Sequence, residues 1–112
     1  MIRDVWDGFT GKVKLAERKR LNSLVIERDE RLCILCGKAA ADVHHIIHRS
    51  QGGKNSPVIW QEKNMCCLCW GHHVECHDER PLKMRVELLK KMQELYQYTY
   101  LESPFREHLD EH

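Results

Sequence analysis

No stretch of this 112-residue chain approaches the roughly 20 consecutive apolar residues that a membrane-spanning helix needs. The first eleven residues carry Asp4 and Asp7 and no apolar h-region, so they do not read as a secretory signal. A charge excess of one sign is also missing. The chain has 18 Lys and Arg against 17 Asp and Glu, net +1, and that balance alone does not suggest a nucleic-acid partner. No internal repeat or low-complexity segment is present. With 31% charged and 42% hydrophobic residues, the composition is globular and argues against disorder over most of the chain. The expectation is one soluble, cytoplasmic domain with no membrane partner.

What the chain does have is soft-ligand residues: 6 Cys and 8 His, of which 12 lie between residues 33 and 77. A core this small is marginal, so a cross-link or a metal is expected. Six cysteines are compatible with three disulfides in a secreted protein, but without export the thiols stay reduced. Metal is the better account.

Three zones follow. Residues 1–32 read as a basic helical segment after an irregular start punctuated by Gly8 and Gly11; Leu21, Leu24 and Val25 share one narrow helical face. Residues 33–80 hold the chemistry. Gly37, Gly52, Gly53 and Pro57 favour short strands and loops there. The pattern predicts strands over residues 43–47 and 58–60, then a helix starting near residues 69–72 and running past His77. Residues 81–112 read as an amphipathic helix and an acidic tail. Leu82, Val86, Leu88, Leu89, Met92, Leu95 and Tyr96 form its apolar stripe, a core or dimer face. Pro104, Glu107, Asp110 and Glu111 read as a frayed end.

Cys33-Ile-Leu-Cys36 followed by Gly37 is a knuckle that places two thiolates on one tetrahedral ion. Either Cys66 with Cys69 or Cys69 with His72 has the spacing to complete it. His73 and His77, four apart, share a helical face and can share a metal. His44 and His45 are adjacent, so an ideal strand sends them to opposite sides; at a strand end one can bind metal while the other faces a substrate. If His72 closes the first site, His73 lies about 100° further round the helix and turns to a second. The Cys66 alternative leaves His72 unexplained, which favours Cys33, Cys36, Cys69 and His72 as a structural Zn2+ site. Cys66, Cys67 and Cys76 are then packed thiols, His48 a solvated loop residue, and Trp6, Trp60 and Trp70 packing around the metal region.

Val43-His44-His45-Ile46, Arg49-Ser50-Gln51-Gly52-Gly53, Asn64-Met65 and Leu68-Cys69-x2-His72-His73-x3-His77 together resemble the HNH endonuclease family. The likeness spans residues 33–77. It implies a small α+β, ββα-metal, treble-clef-like finger with flanking N- and C-terminal helices. It also implies that His45 is the general base, that His44, His73 and His77 ligate one catalytic divalent ion, and that Asn64 fixes the loop orienting His45. Arg49 is a candidate phosphate contact. Many members have Asp where this chain has His44, and Cys where it has His72. The all-imidazole catalytic site favours Mn2+, Ni2+, Co2+ or Zn2+ over Mg2+, with Mg2+ still admissible. The implied partner is duplex DNA, with the chain acting as a monomer or as a homodimer through the C-terminal helix. The compact form also resembles phage-encoded members, implying action inside a host cell.

The general chemistry agrees. A neutral histidine near pH 7 suits proton abstraction from water, and a divalent cation suits charge stabilisation at a phosphodiester. A zinc-stabilised nucleic-acid-binding or adaptor module without catalysis explains the knuckle and the basic helix but leaves His44, His45 and His77 without roles. A thiol-redox reading of Cys33 and Cys36 needs a βαβ setting that is missing. The near-neutral charge hides a split: residues 1–85 carry 15 basic and 11 acidic groups, net +4, whereas residues 86–112 carry 3 and 6, net −3. The positive part includes the metal region and its leading helix.

Overall fold

Apolar spacing selects which face of the basic N-terminal zone turns inward. The computed structural model describes residues 6–7, 12–47, 57–102 and 104–110. Strands β1 (Trp6–Asp7) and β2 (Lys12–Val13) pair antiparallel ahead of helix α1 (Leu15–Arg28). Leu21 and Val25, one turn apart, are buried, and so is Glu17 a turn earlier. The Glu17 carboxylate is taken by the Arg20 guanidinium at 2.6 and 2.5 Å.

Helix α1 ends without glycine. The Arg31 N–H reaches the Ile26 carbonyl at 3.0 Å and the Glu30 N–H reaches Glu27 at 3.1 Å, the pairing of a Schellman cap. Glu30 (φ 58°) and Arg31 (φ 60°) are both left-handed, a conformation that costs a residue with a Cβ about 1–2 kcal/mol. Glu30→Gly is therefore expected to stabilise the fold by about 0.5–1 kcal/mol once glycine's own entropy is set against the relief. A higher urea midpoint at constant slope is the check.

Strand β3 (Asp42–His45) pairs antiparallel with β4 (Met65–Leu68), matching His44 with Cys66 and His45 with Met65. A 3-10 turn (Glu62–Asn64) leads into β4. Helix α2 (Trp70–Val74) follows and continues as a π-helical turn (Glu75–Glu79), then come α3 (Pro81–Tyr96) and α4 (Phe105–Asp110). The architecture is a small α+β fold with two two-stranded sheets among the described residues.

All four residues of β4 are buried, because both faces of the strand are covered. Met65 and Cys67 meet Leu21 and Val25 of α1, whereas Cys66 and Leu68 join the core that contains Met84, Leu88, Leu89 and Met92 of α3. A strand covered on both sides shows no polar–apolar alternation. That is why the sequence pattern missed β4 and offered residues 58–60 instead. That segment is a turn, with Ile59 wholly buried in it.

Two C-terminal expectations are also corrected. Of the expected stripe of α3, Val86, Leu88, Leu89 and Met92 are inside, joined by Met84, while Leu82 and Leu95 face out. The end of the chain is not frayed as far as residue 110. Phe105 is fully buried and its ring lies 5.1 Å from that of Tyr100. Hydrophobic anchoring there outweighs the acidic character of Glu107 and Asp110.

A buried polar hub joins these layers. Arg28 donates to the carbonyls of Glu62 (2.8 Å) and Met65 (2.6 Å) and to Asp29 (2.8 Å). Asp29 also accepts the Cys67 N–H at 2.8 Å and the Tyr96 hydroxyl at 2.5 Å. Tyr96→Phe removes one bond to a charged acceptor and is expected to cost about 1.5–3 kcal/mol, read as a lower midpoint in chemical denaturation.

Candidate metal centres and the His45 loop

The knuckle is shaped by its backbone. The Gly37 N–H donates to the Cys33 carbonyl (2.9 Å), the Cys33 N–H donates to Lys38 (2.7 Å), and Gly37 takes φ 77°. This turn carries Cys33 and Cys36 to the point where β4 passes into α2, at Cys69 and His72. The four ligand atoms fall within 4.8 Å of one another. Cys33 Sγ and Cys69 Sγ each stand 3.4 Å from His72 Nδ1, and Cys36 Sγ stands 3.7 Å from Cys69 Sγ. Tetrahedral zinc with its usual bond lengths has S–S edges of about 3.8 Å and S–N edges of about 3.5 Å. The cluster can thus hold a structural metal such as zinc. Burial works to raise the Cys33 thiol pKa, but the amides of Cys69, Leu35 and Cys36, with His72, outweigh it and bring the thiol to about 6.

The remaining cysteines are placed differently. Cys66 is wholly enclosed opposite His44, so it does not complete the knuckle. Desolvation pushes its thiol well up, and raises Cys67 to about 11 and Cys76 to about 12. All three are protonated packing groups at neutral pH.

The structure brings His44, His73 and His77 together as a second group, again with ligand atoms within 4.8 Å. His44 is buried on β3, with its ring 5.8 Å from His73 and 5.2 Å from His77. His73 sits in α2 and His77 in the π-helical turn, with rings 4.5 Å apart. The wider turn is closed by the Arg80 N–H on the Glu75 carbonyl at 2.8 Å. The Nδ1 of His73 is buried without a hydrogen-bond partner, an omission that metal ligation or a buried water normally makes good. Trp70 does not pack inward as expected. It is 69% exposed and lies parallel to His73, with ring centroids 5.9 Å apart.

Strand alternation turns His45 away from His44. Its Nδ1 lies 3.1 Å from the Ile59 carbonyl, and its ring meets Trp60 edge-on at 4.5 Å. A carbonyl only accepts, so Nδ1 carries a proton, and in the neutral imidazole this leaves the lone pair on Nε2. Fully buried Asn64 clamps the same loop. Its Oδ1 accepts the Ile47 N–H (2.8 Å), and its Nδ2 donates to the carbonyls of Ile47 (3.2 Å) and Ile59 (3.0 Å). Asn64 and His45 thus converge on one carbonyl. No sequence signal singles out Ile59, since its contribution is a backbone atom, and the Trp60 contact depends on the tertiary fold.

Arg49 and His48 lie outside the described residues, as do Ser50, Gln51, Gly52 and Gly53. A search with protein-family models finds no match for this chain, and a search of curated proteins finds none.

Proposed function

We propose that this protein is a metal-dependent endonuclease of the HNH type that hydrolyses DNA phosphodiester bonds. One observation carries the reading: the Ile59 carbonyl holds His45 in the tautomer a general base requires, one residue along β3 from His44, the buried member of a three-histidine cluster. In this reading β3, β4 and α2 form a ββα-metal finger, and the Cys33, Cys36, Cys69 and His72 group holds structural zinc beside it. A phosphodiester laid across the end of β3 meets His45 on one side and the histidine trio on the other. His45 Nε2 takes a proton from the attacking water, while the Ile59 carbonyl stabilises the resulting imidazolium through Nδ1–H. Asn64 acts as a positioning residue by fixing that carbonyl.

A divalent ion on His44, His73 and His77 would supply charge stabilisation at the phosphoryl group and at the departing 3′-oxygen. An all-nitrogen donor set favours Mn2+, Ni2+, Co2+ or Zn2+ over Mg2+. The products are 5′-phosphate and 3′-hydroxyl ends. The positive excess of residues 1–85 supports a DNA partner.

The test is incubation of supercoiled plasmid with a panel of these ions, together with metal analysis of the protein. Nicking in the preferred ions and two classes of bound metal per chain are expected. One metal per chain and intact plasmid in every ion would favour the non-catalytic zinc module.

A further inference from the structure

A cleft of about 570 Å3 opens between α1 and β3, and His45 forms part of its wall. That volume is in the range of sites that take small organic ligands. Ile26, Val43 and Trp60 supply apolar and aromatic surface, and Asn22, Arg31 and Asp42 supply polar groups. From the proposed endonuclease activity and this lining, we infer that the cleft is a nucleobase site that takes one unpaired purine from the strand being cut.

Each side of the cleft fits that ligand. The indole of Trp60 contributes aromatic surface to the cleft, and the Arg18 guanidinium over its ring, 5.9 Å from the centroid, brings positive charge nearby. The polar lining is mixed in type. Asn22 both donates and accepts, Arg31 only donates, and Asp42 accepts, with its Oδ1 already engaged by the Val43 N–H at 2.7 Å. Asparagine pairs bidentately with adenine and arginine with guanine, and both are purine contacts. Arg31 reaches the rim from a left-handed backbone held by the helix cap, so its starting point is set before any ligand arrives.

A base inside a duplex is stacked on both faces and cannot lie against Trp60. Extrusion costs least where the base is mismatched or already single-stranded. The site therefore directs cleavage toward strands with an unpaired purine beside the scissile phosphate, through the wall that His45 shares with the cleft.

The experiment uses the whole protein with its cysteine-site metal and no further divalent ion, so that binding is read without cutting. The probe is a thymine-rich single strand with one 2-aminopurine, compared with the same base in a duplex. On binding, the single strand's emission is expected to fall severalfold as the purine stacks, with at least tenfold tighter binding than to the duplex. Ala41→Trp, placed on the exposed rim to block the cleft, and the milder Asn22→Ala and Arg31→Ala should each weaken single-strand binding, the first by tenfold or more. Circular dichroism and metal content confirm that each variant is folded. Unchanged emission, no binding, equal or tighter binding to the duplex, or unaltered affinity in all three folded variants would overturn the inference. Plasmid cleavage is measured separately, so an inactive enzyme that still shows the emission change would refute the endonuclease and leave the base site standing.

Discussion

His45→Ala is expected to lower the rate of plasmid nicking by about 10²–10⁴-fold, the usual contribution of a positioned general base, while the protein stays folded and keeps its metal. The separation follows from where His45 sits. It is half-buried and belongs to neither ligand cluster, so its loss opens little core. The Ile59 carbonyl it leaves behind is still bonded to Asn64 at 3.0 Å, so no buried acceptor is stranded. Nicking rates in the preferred ion, metal content and circular dichroism together make the test. Undiminished cleavage by a folded, metal-loaded variant would refute the role of His45. His44→Ala differs in kind, because it should reduce occupancy of the second metal class as well as the rate.

Stripping the cysteine-site metal is the change with the largest expected effect on stability. Apparent binding free energies of structural zinc are about 10–16 kcal/mol near pH 7, as large as the whole net stability of a typical domain at about 5–15 kcal/mol. Here four candidate ligands come from two distant segments, the knuckle and the start of α2, so an ion bound there would close a loop of chain as well as fill a site. A strong chelator should abolish the cooperative thermal transition, and added zinc should restore it. Cys69→Ser should mimic the chelator, whereas Cys76→Ala, at a buried thiol outside the cluster, should keep the metal. Acid should act in the same direction, since protons compete for thiolates. In the metal-free protein the Cys33 thiol lies below its ordinary range, so the stability its thiolate contributes is complete in alkali and is lost as pH falls through about 6. A chelated protein with an unchanged melting curve would show that the packed core suffices alone.

Much of the candidate site was legible because ligand spacing is local. Two residues between Cys33 and Cys36, and four positions from His73 to His77, state which groups can meet on a turn or a helix face. The choice of His72 over Cys66 was also readable, since pairing Cys66 with Cys69 leaves His72 beside the site without a role. Other features were hidden. Strand β4 reads as an unbroken apolar stretch because α1 covers one face and α3 the other, which removes the alternation that reveals a half-buried strand. The inward face of α3 depends on what packs against it, so Leu82 and Leu95, plausible by spacing, lie outside. Phe105 anchors a segment whose composition suggests a loose end.

The amino-acid sequence by itself determined the ligand types and the close-spaced pairs Cys33 with Cys36, Cys69 with His72 and His73 with His77, whereas the place of His44 beside the last pair came only from the family resemblance. The close pairs are short-range matters of covalent geometry and helix period. Only the tertiary structure decided that Ile59 and Asn64 converge on the His45 loop, that His44 and His45 serve opposite faces of β3, and that a cleft opens beside them. Each of these depends on contacts between residues far apart in the chain, where register and packing rather than spacing decide which atoms meet.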